Sequence, residues 1–264
     1  ADSPDLAIAR AVVAEHVGDV TGLHACADRL LTPVEQAGLS PCAIVRAHGW
    51  RIRAAVWAGE PEQARTALRE LDQAAVGAEP EAAVDIALAR AWVAWLDGDI
   101  SGVATTVAAV ERDVGDSGSG AAELALLAGS AHRERNQLAK AVPLLDEAHA
   151  LAATSSHHVV AALAASELAR CRRASGTDME ALELVVSARA AHPDLPPAID
   201  LHLRSTEVKV RLDQGDVAGA RATVRDGPPG ADTQLLATRV ALQEAPAQAR
   251  KLVESVDPRA RRQA

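Results

Sequence analysis

Phenylalanine and tyrosine are missing from this sequence, and its only large aromatic side chains are Trp50, Trp57, Trp92 and Trp95. A core without other large rings must be filled by Ala, Val and Leu. Such small side chains make thin, closely spaced layers, which suit helices packed tightly in pairs, and Ala and Leu are also strong helix formers. Hydrophobic residues still make up 48% of the 264 residues, enough to bury a core and to exclude disorder as the default state. An all-α fold is the expectation.

Cysteine is nearly as scarce. Cys26, Cys42 and Cys171 are odd in number, scattered and without a CxxC pair. That excludes a disulfide framework and points to reduced, buried thiols in a cytoplasmic protein. Basic residues are outnumbered, 27 to 36, for a formal net charge of −9. So acidic a surface excludes a general basic face for nucleic acid. The local exception is PRARRQA at 258–264, read as a solvated tail or the start of a linker. No apolar run approaches ~18 residues without a charge, so no membrane span is expected. The opening ADSPDLAIARA lacks a charged segment followed by an apolar one and does not read as a signal peptide. With no initiator Met and an abrupt basic end, the chain reads as a piece of a longer protein.

Motifs that carry chemistry are missing too. There is no GxxxxGK[ST], no GxGxxG after a strand and no HExxH, and GDSGSG at 115–120 has the wrong spacing for a nucleophile elbow. His157-His158 is the only adjacent histidine pair; His132, His149, His192 and His202 are scattered, and no Cys stands at metal-ligand spacing from a His. These histidines read as surface or helix-capping residues. The carboxylates fall on helix starts and outer faces and read as solvated charges. No enzyme, cofactor or metal site is expected.

What is present is a repeat. Helical runs end in Gly followed by an acid in HVGDV (16–20), WAGEP (57–61), LDGDI (96–100) and DQGDV (213–217), and Asn136 and Gly176 fill the same slot. The anchors 18, 59, 98, 136, 176 and 215 are separated by 41, 39, 38, 40 and 39 residues. Five residues after each anchor stand Leu23, Ala64, Val103, Ala141, Ala181 and Ala220; nine after stand Ala27, Leu68, Val107, Leu145, Val185 and Val224. Seven before stand Ala11, Ile52, Ala91, Gly129, Ala169 and Val208. A shortened seventh unit follows with Glu244 in the anchor slot and Ala237, Ala249 and Val253 in those columns.

Gly or Asn accepts the left-handed backbone that ends a helix, and the acid after it caps the next one. Each unit is therefore a helical hairpin whose small residue seven before the turn admits a close partner. Hairpins of this kind stack, and the expected architecture is a right-handed superhelical solenoid of about seven hairpins. A single domain over 1–257 is expected, because the register continues through GDSGSG at 115–120 and GPPG at 227–230.

The segments GEPEQARTAL (59–68), GDVAGARATV (215–224) and LLATRVALQEAPAQARKLVES (235–255) resemble the tetratricopeptide-like helical domain of large LuxR-type transcription regulators of the MalT kind. The high Ala and Arg content is similar to actinobacterial members. The likeness runs along the whole chain, whose units of 38 to 41 residues suit this variety better than the strict tetratricopeptide consensus. The resemblance implies a sensor and scaffold domain that binds an inducer or a regulatory protein and aids assembly. In such regulators a nucleotide-binding switch module precedes the array and a helix-turn-helix reader follows. DNA contact is then expected only through a reader outside these residues. A generic tetratricopeptide-type interaction scaffold is the alternative.

First helices of successive hairpins usually line the concave binding face. Arg46, Trp50, Arg53 and Trp57 recur at i, i+4, i+7 and i+11, one stripe on the first helix of the second unit, while Ile52 and Val56 match the core columns. Six residues before the anchor the column reads Val12, Arg53, Trp92, Ser130, Arg170, Lys209. A core column should not carry two arginines and a lysine, so it is assigned to a groove. Trp92 is expected beside Arg53, and Arg170 and Lys209 are placed to meet a carboxylate, a phosphate or an acidic partner. Trp95 is read as packing. The candidate site is thus Arg46, Trp50, Arg53, Trp57, Trp92, Arg170 and Lys209. A small-molecule inducer, a protein or peptide partner, and plain packing between helices all remain open.

Overall fold

The computed structural model describes residues 3–76, 82–110, 120–227 and 229–244, and over these the chain is all-helical, with fourteen α-helices and no strand. They are α1 (Pro4–Val17), α2 (Val20–Leu30), the single-turn α3 (Pro33–Gln36), α4 (Pro41–Ala58), α5 (Pro61–Ala74), α6 (Ala83–Leu96), α7 (Ile100–Val110), α8 (Ala121–Glu134), α9 (Leu138–Ser155), α10 (His158–Ala174), α11 (Asp178–Ala191), α12 (Pro197–Asp213), α13 (Val217–Arg225) and α14 (Ala231–Glu244). None of the helices among the described residues is long and apolar enough to cross a membrane.

All six anchors adopt left-handed backbone: Gly18, Gly59, Gly98, Asn136, Gly176 and Gly215 have φ between 57 and 78°. Each reverses the chain between two helices. Asp19, Asp99 and Asp216 then accept the backbone N–H of Gly22, Gly102 and Gly219, each at 2.9 Å, and so cap the second helix. Glu60 makes no such bond; α5 starts instead on Pro61, whose missing N–H needs no partner there.

The hairpins α1–α2, α4–α5, α6–α7, α8–α9, α10–α11 and α12–α13 pack as pairs, and α14 lies against α12 and α13. The second helix expected of a seventh unit, with Ala249 and Val253, lies outside the described residues, as do residues 115–119 and the tail at 258–264. The repeat columns form the core. Leu23, Ala64, Val103, Ala141, Ala181 and Ala220 are at most 1% exposed. Of the column nine after the turn, Leu68 is partly buried and the other five are buried. The small residue before the turn sets helix approach: a Cβ on Gly129 would lie 2.7 Å from Leu145 of α9.

First helices also lie side by side, α4 with α6, α6 with α8, α8 with α10 and α10 with α12. In addition α1 meets α10 and α4 meets α12, so contact recurs after four units. The turns mark these meetings: Gly18 faces Val159 and Pro196, and Gly59 faces Ala198. As a result the inner helices are buried far beyond a single stripe, α10 burying twelve of its seventeen residues. An open groove along the first helices is not what forms; this face is an interior.

Candidate functional site: two cavities and an aromatic partition

The column six residues before the turn, assigned from the sequence to an open groove, is divided between two cavities. Val12 and Arg53 line one cavity of about 410 Å³, whereas Ser130, Arg170 and Lys209 line another of about 1060 Å³. Trp92, between them in the column, is wholly buried. Arg46, Trp50 and Arg53 thus share the first cavity, Arg170 and Lys209 share the second, and Trp57 and Trp92 line neither.

In the first cavity α4 supplies Arg53 to a carboxylate on α8. The Arg53 Nε and Nη2 donate to Glu123 at 2.8 and 2.6 Å, and Nε also lies 3.2 Å from Glu15 of α1. Burial alone would raise the Glu123 carboxyl, but the Arg53 charge and hydrogen bonds, with the His157 ring 3.6 Å away, outweigh it and hold that group well below the usual carboxylate range. Trp50 is 2% exposed, and its indole Nε1 donates to Glu15 at 3.0 Å, which satisfies the buried N–H. Arg46, half-exposed, reaches Asp85 at 3.4 Å. Glu15, Glu123 and His157 bring potential metal-ligand atoms within 4.8 Å of one another. The Arg53 guanidinium stands against both carboxylates, so the protein itself supplies the positive charge that a metal would bring.

A line of rings separates the two cavities. His16 stacks on His157 at 5.1 Å, His157 meets Trp57 at 6.0 Å, Trp57 meets Trp92 edge-on at 6.3 Å, Trp92 meets Trp95 at 5.6 Å, and Trp95 meets His202 at 5.5 Å. Edge-to-face contacts at such spacings are favourable for aromatic quadrupoles. Trp57 and Trp92, both 0% exposed, fill the middle of a body otherwise built mainly from Ala, Val and Leu. This corrects the placement of these two indoles as groove walls: Trp92 packs on Trp57 and Trp95, and both are core. Trp95 departs from expectation in the other direction. It is half-buried, and it lines the larger cavity.

The larger cavity runs from the C-terminal ends of α4, α6, α8 and α10 along α12 to α14. Trp95, Leu201, Leu235 and Leu236 give it apolar wall, and Arg133, Arg170, Lys209 and Arg239 give it positive charge. Beneath it Glu167 is buried and accepts hydrogen bonds from Arg133 and, at 3.0 Å, from His202 Nε2, with Arg170 at 3.2 Å. Burial, aided by the Arg170 charge, pushes His202 down to about 4 despite the Glu167 bond, so the ring is neutral near pH 7. Arg170 is held in place by Thr206, which also bonds Ser166 at 2.9 Å. Lys209 is pushed down to about 8, by burial first and then by Arg170, Arg239, Arg173 and Arg133.

No family model, curated protein or solved structure matches this chain. Its chemistry therefore has to be read from the cavities. They offer a stacking face, cationic donors and an apolar wall, which is the equipment for holding a ligand.

Several interior residues escape the column argument. His157 is 7% exposed at the N-cap of α10 and His202 lies between Glu167 and Trp95, so neither is a surface histidine. Glu123, Glu167 and Glu207 are buried rather than solvated. A signal was present: thirteen residues before the anchor stand Arg46, Asp85, Glu123 and His202, two helical turns below the column already singled out.

Proposed function

We propose that this chain is the effector-binding domain of a transcription regulator of the MalT-like LuxR type, and that the larger cavity holds the effector. The observation that carries this is the pairing of the Trp95 face with cationic Arg170 and Lys209 around 1060 Å³ of space. A volume of that order suits a small molecule, for which sites run to about 1,000 Å³. The resemblance of the Gly-Asp hairpin series to such regulators supports the family reading. A small molecule is favoured over a peptide because the α1–α10 and α4–α12 contacts interrupt the inner face that a peptide would have to follow.

In this reading the hairpins follow a right-handed superhelix whose successive turns meet every four units. The larger cavity is lined by residues of α4, α5, α6, α7, α8, α10, α12 and α14. A ligand bound there favours one setting of those turns over another, which is how occupancy is transmitted to neighbouring modules. The test is a thermal-shift screen of metabolites on wild type and on Trp95→Ala and Trp50→Ala variants. At a hundredfold excess over Kd a true ligand stabilises by about 2.7 kcal/mol. That shift should vanish in Trp95→Ala and survive in Trp50→Ala; an equal shift in Trp95→Ala and wild type would place the site elsewhere.

A further inference from the structure

Charge around the larger cavity is unevenly satisfied. Asp97 is paired with Arg65, and Glu134 with Arg133. Glu167 is shared by Arg133, Arg170 and His202. Lys209 is only partly exposed, yet it makes no hydrogen bond or ion pair among the described residues, and the charges that weigh most on it are four arginines. Arg239 of α14, exposed at the same cavity, likewise has no partner among the described residues. Asp232, the remaining carboxylate of the lining, is exposed in the first turn of α14.

A second, independent feature points to the same place. Ser130 Oγ is buried, at 2% exposure, lines the cavity and has no hydrogen-bond partner among the described residues. It precedes Arg170 and Lys209 in one repeat column, so the three occupy matching positions on α8, α10 and α12. A partly desolvated ammonium without a counter-charge and a buried hydroxyl without a partner both cost free energy. An oxyanion would answer both, through charge-assisted bonds to Lys209 and an acceptor for Ser130.

We propose that the larger cavity binds an amphipathic oxyanion, with one anionic head at Lys209, Arg239 and Ser130 and a flat apolar body against Trp95. The inference rests on the cavity being a ligand site and names the class of ligand. Carboxylate and phosphate heads share the required chemistry.

The probes are anilinonaphthalene sulfonate and phenylnaphthylamine, which carry the same rings with and without the anion. Titrated by fluorescence into the whole chain, the sulfonate should bind at one site and about tenfold or more tighter than the neutral probe. Lys209→Met should remove that advantage, leave the neutral probe unchanged and leave the melting temperature equal or higher. Lys209→Arg should keep the advantage. Competition by naphthyl acetate and naphthyl phosphate then distinguishes the preferred head.

Equal affinity for the two probes, or a Lys209→Met variant that still prefers the sulfonate, overturns the inference. If the neutral probe binds and Trp95→Ala weakens it while the sulfonate gains nothing, the cavity is a ligand site but not for anions. If neither probe binds, both readings fall.

Discussion

The Arg53 guanidinium of α4 meets the Glu123 carboxylate of α8 in a two-bond ion pair, 4% and 3% exposed, between residues seventy apart in sequence. Breaking such a pair from one side leaves a buried charge and costs about 3–5 kcal/mol. Arg53→Met strands both Glu15 and Glu123 and should cost that much. Glu123→Gln should cost less, because Arg53 keeps Glu15 at 3.2 Å. The double variant Arg53→Met/Glu123→Leu should recover much of the loss. Urea unfolding of the three variants checks the order, and equal losses from the two single changes would contradict it.

Acid should expose the histidine of the larger cavity. His202 is pushed down to about 4 from its ordinary 6.5, mainly by burial. Between those values the unfolded chain takes up a proton that the folded chain refuses, so His202 makes stability fall as pH falls from 6.5 to 4. His202→Gln should flatten that part of the curve of Tm against pH. A slope unchanged by the substitution would exclude His202 as its source.

Lys209 works at the other end of the scale. Its folded value is about 8 against an ordinary 10.5, with burial the first cause, then Arg170 and Arg173 of α10, Arg239 of α14 and Arg133 of α8. Across that window the folded chain holds fewer protons than the unfolded one, so this group makes stability rise with pH. Relative to wild type, Lys209→Met should lose that rise and be more stable at pH 7. Parallel pH profiles for the two proteins would refute it.

The tryptophans should divide by position. Trp57→Ala and Trp92→Ala remove indoles that are wholly buried, and each should cost about 3–5 kcal/mol. Trp95→Ala, half-exposed at the cavity, should cost clearly less while removing ligand response. Denaturant midpoints of the three variants, read by circular dichroism, decide it; three equal losses would remove the distinction between partition and wall.

Turn glycines should not be equivalent. At Gly98 a Cβ would meet nothing within 4 Å, so Gly98→Ala carries only the left-handed strain, about 1–2 kcal/mol. At Gly18 the same atom would lie 2.9 Å from Val159 and 3.3 Å from Pro196. Gly18→Ala should therefore destabilise more, through the contact between α1 and the start of α10. Equal unfolding free energies would mean that this contact yields.

Much of the helical framework was legible in the repeat alone. Gly18, Gly59, Gly98, Asn136, Gly176 and Gly215 announce left-handed turns because few other residues tolerate that backbone, and the columns around them follow from the pitch of an α-helix. The column that holds Val12, Arg53, Ser130, Arg170 and Lys209 stands out by its charge and reads as a groove; in the structure its members line two cavities instead.

What occupies that inner face was decided only by tertiary structure. Charge in a column reads as solvent or ligand when its partner cannot be seen, and Arg53 finds Glu123 two units away. The indoles of Trp57 and Trp92 look like groove walls until α10 and α12 return against α1 and α4. Local sequence sets where helices start, stop and pair, because those steps depend on neighbours along the chain. Whether a face lined by tryptophan and arginine is open or closed depends on contacts between units four apart, and nothing local encodes that.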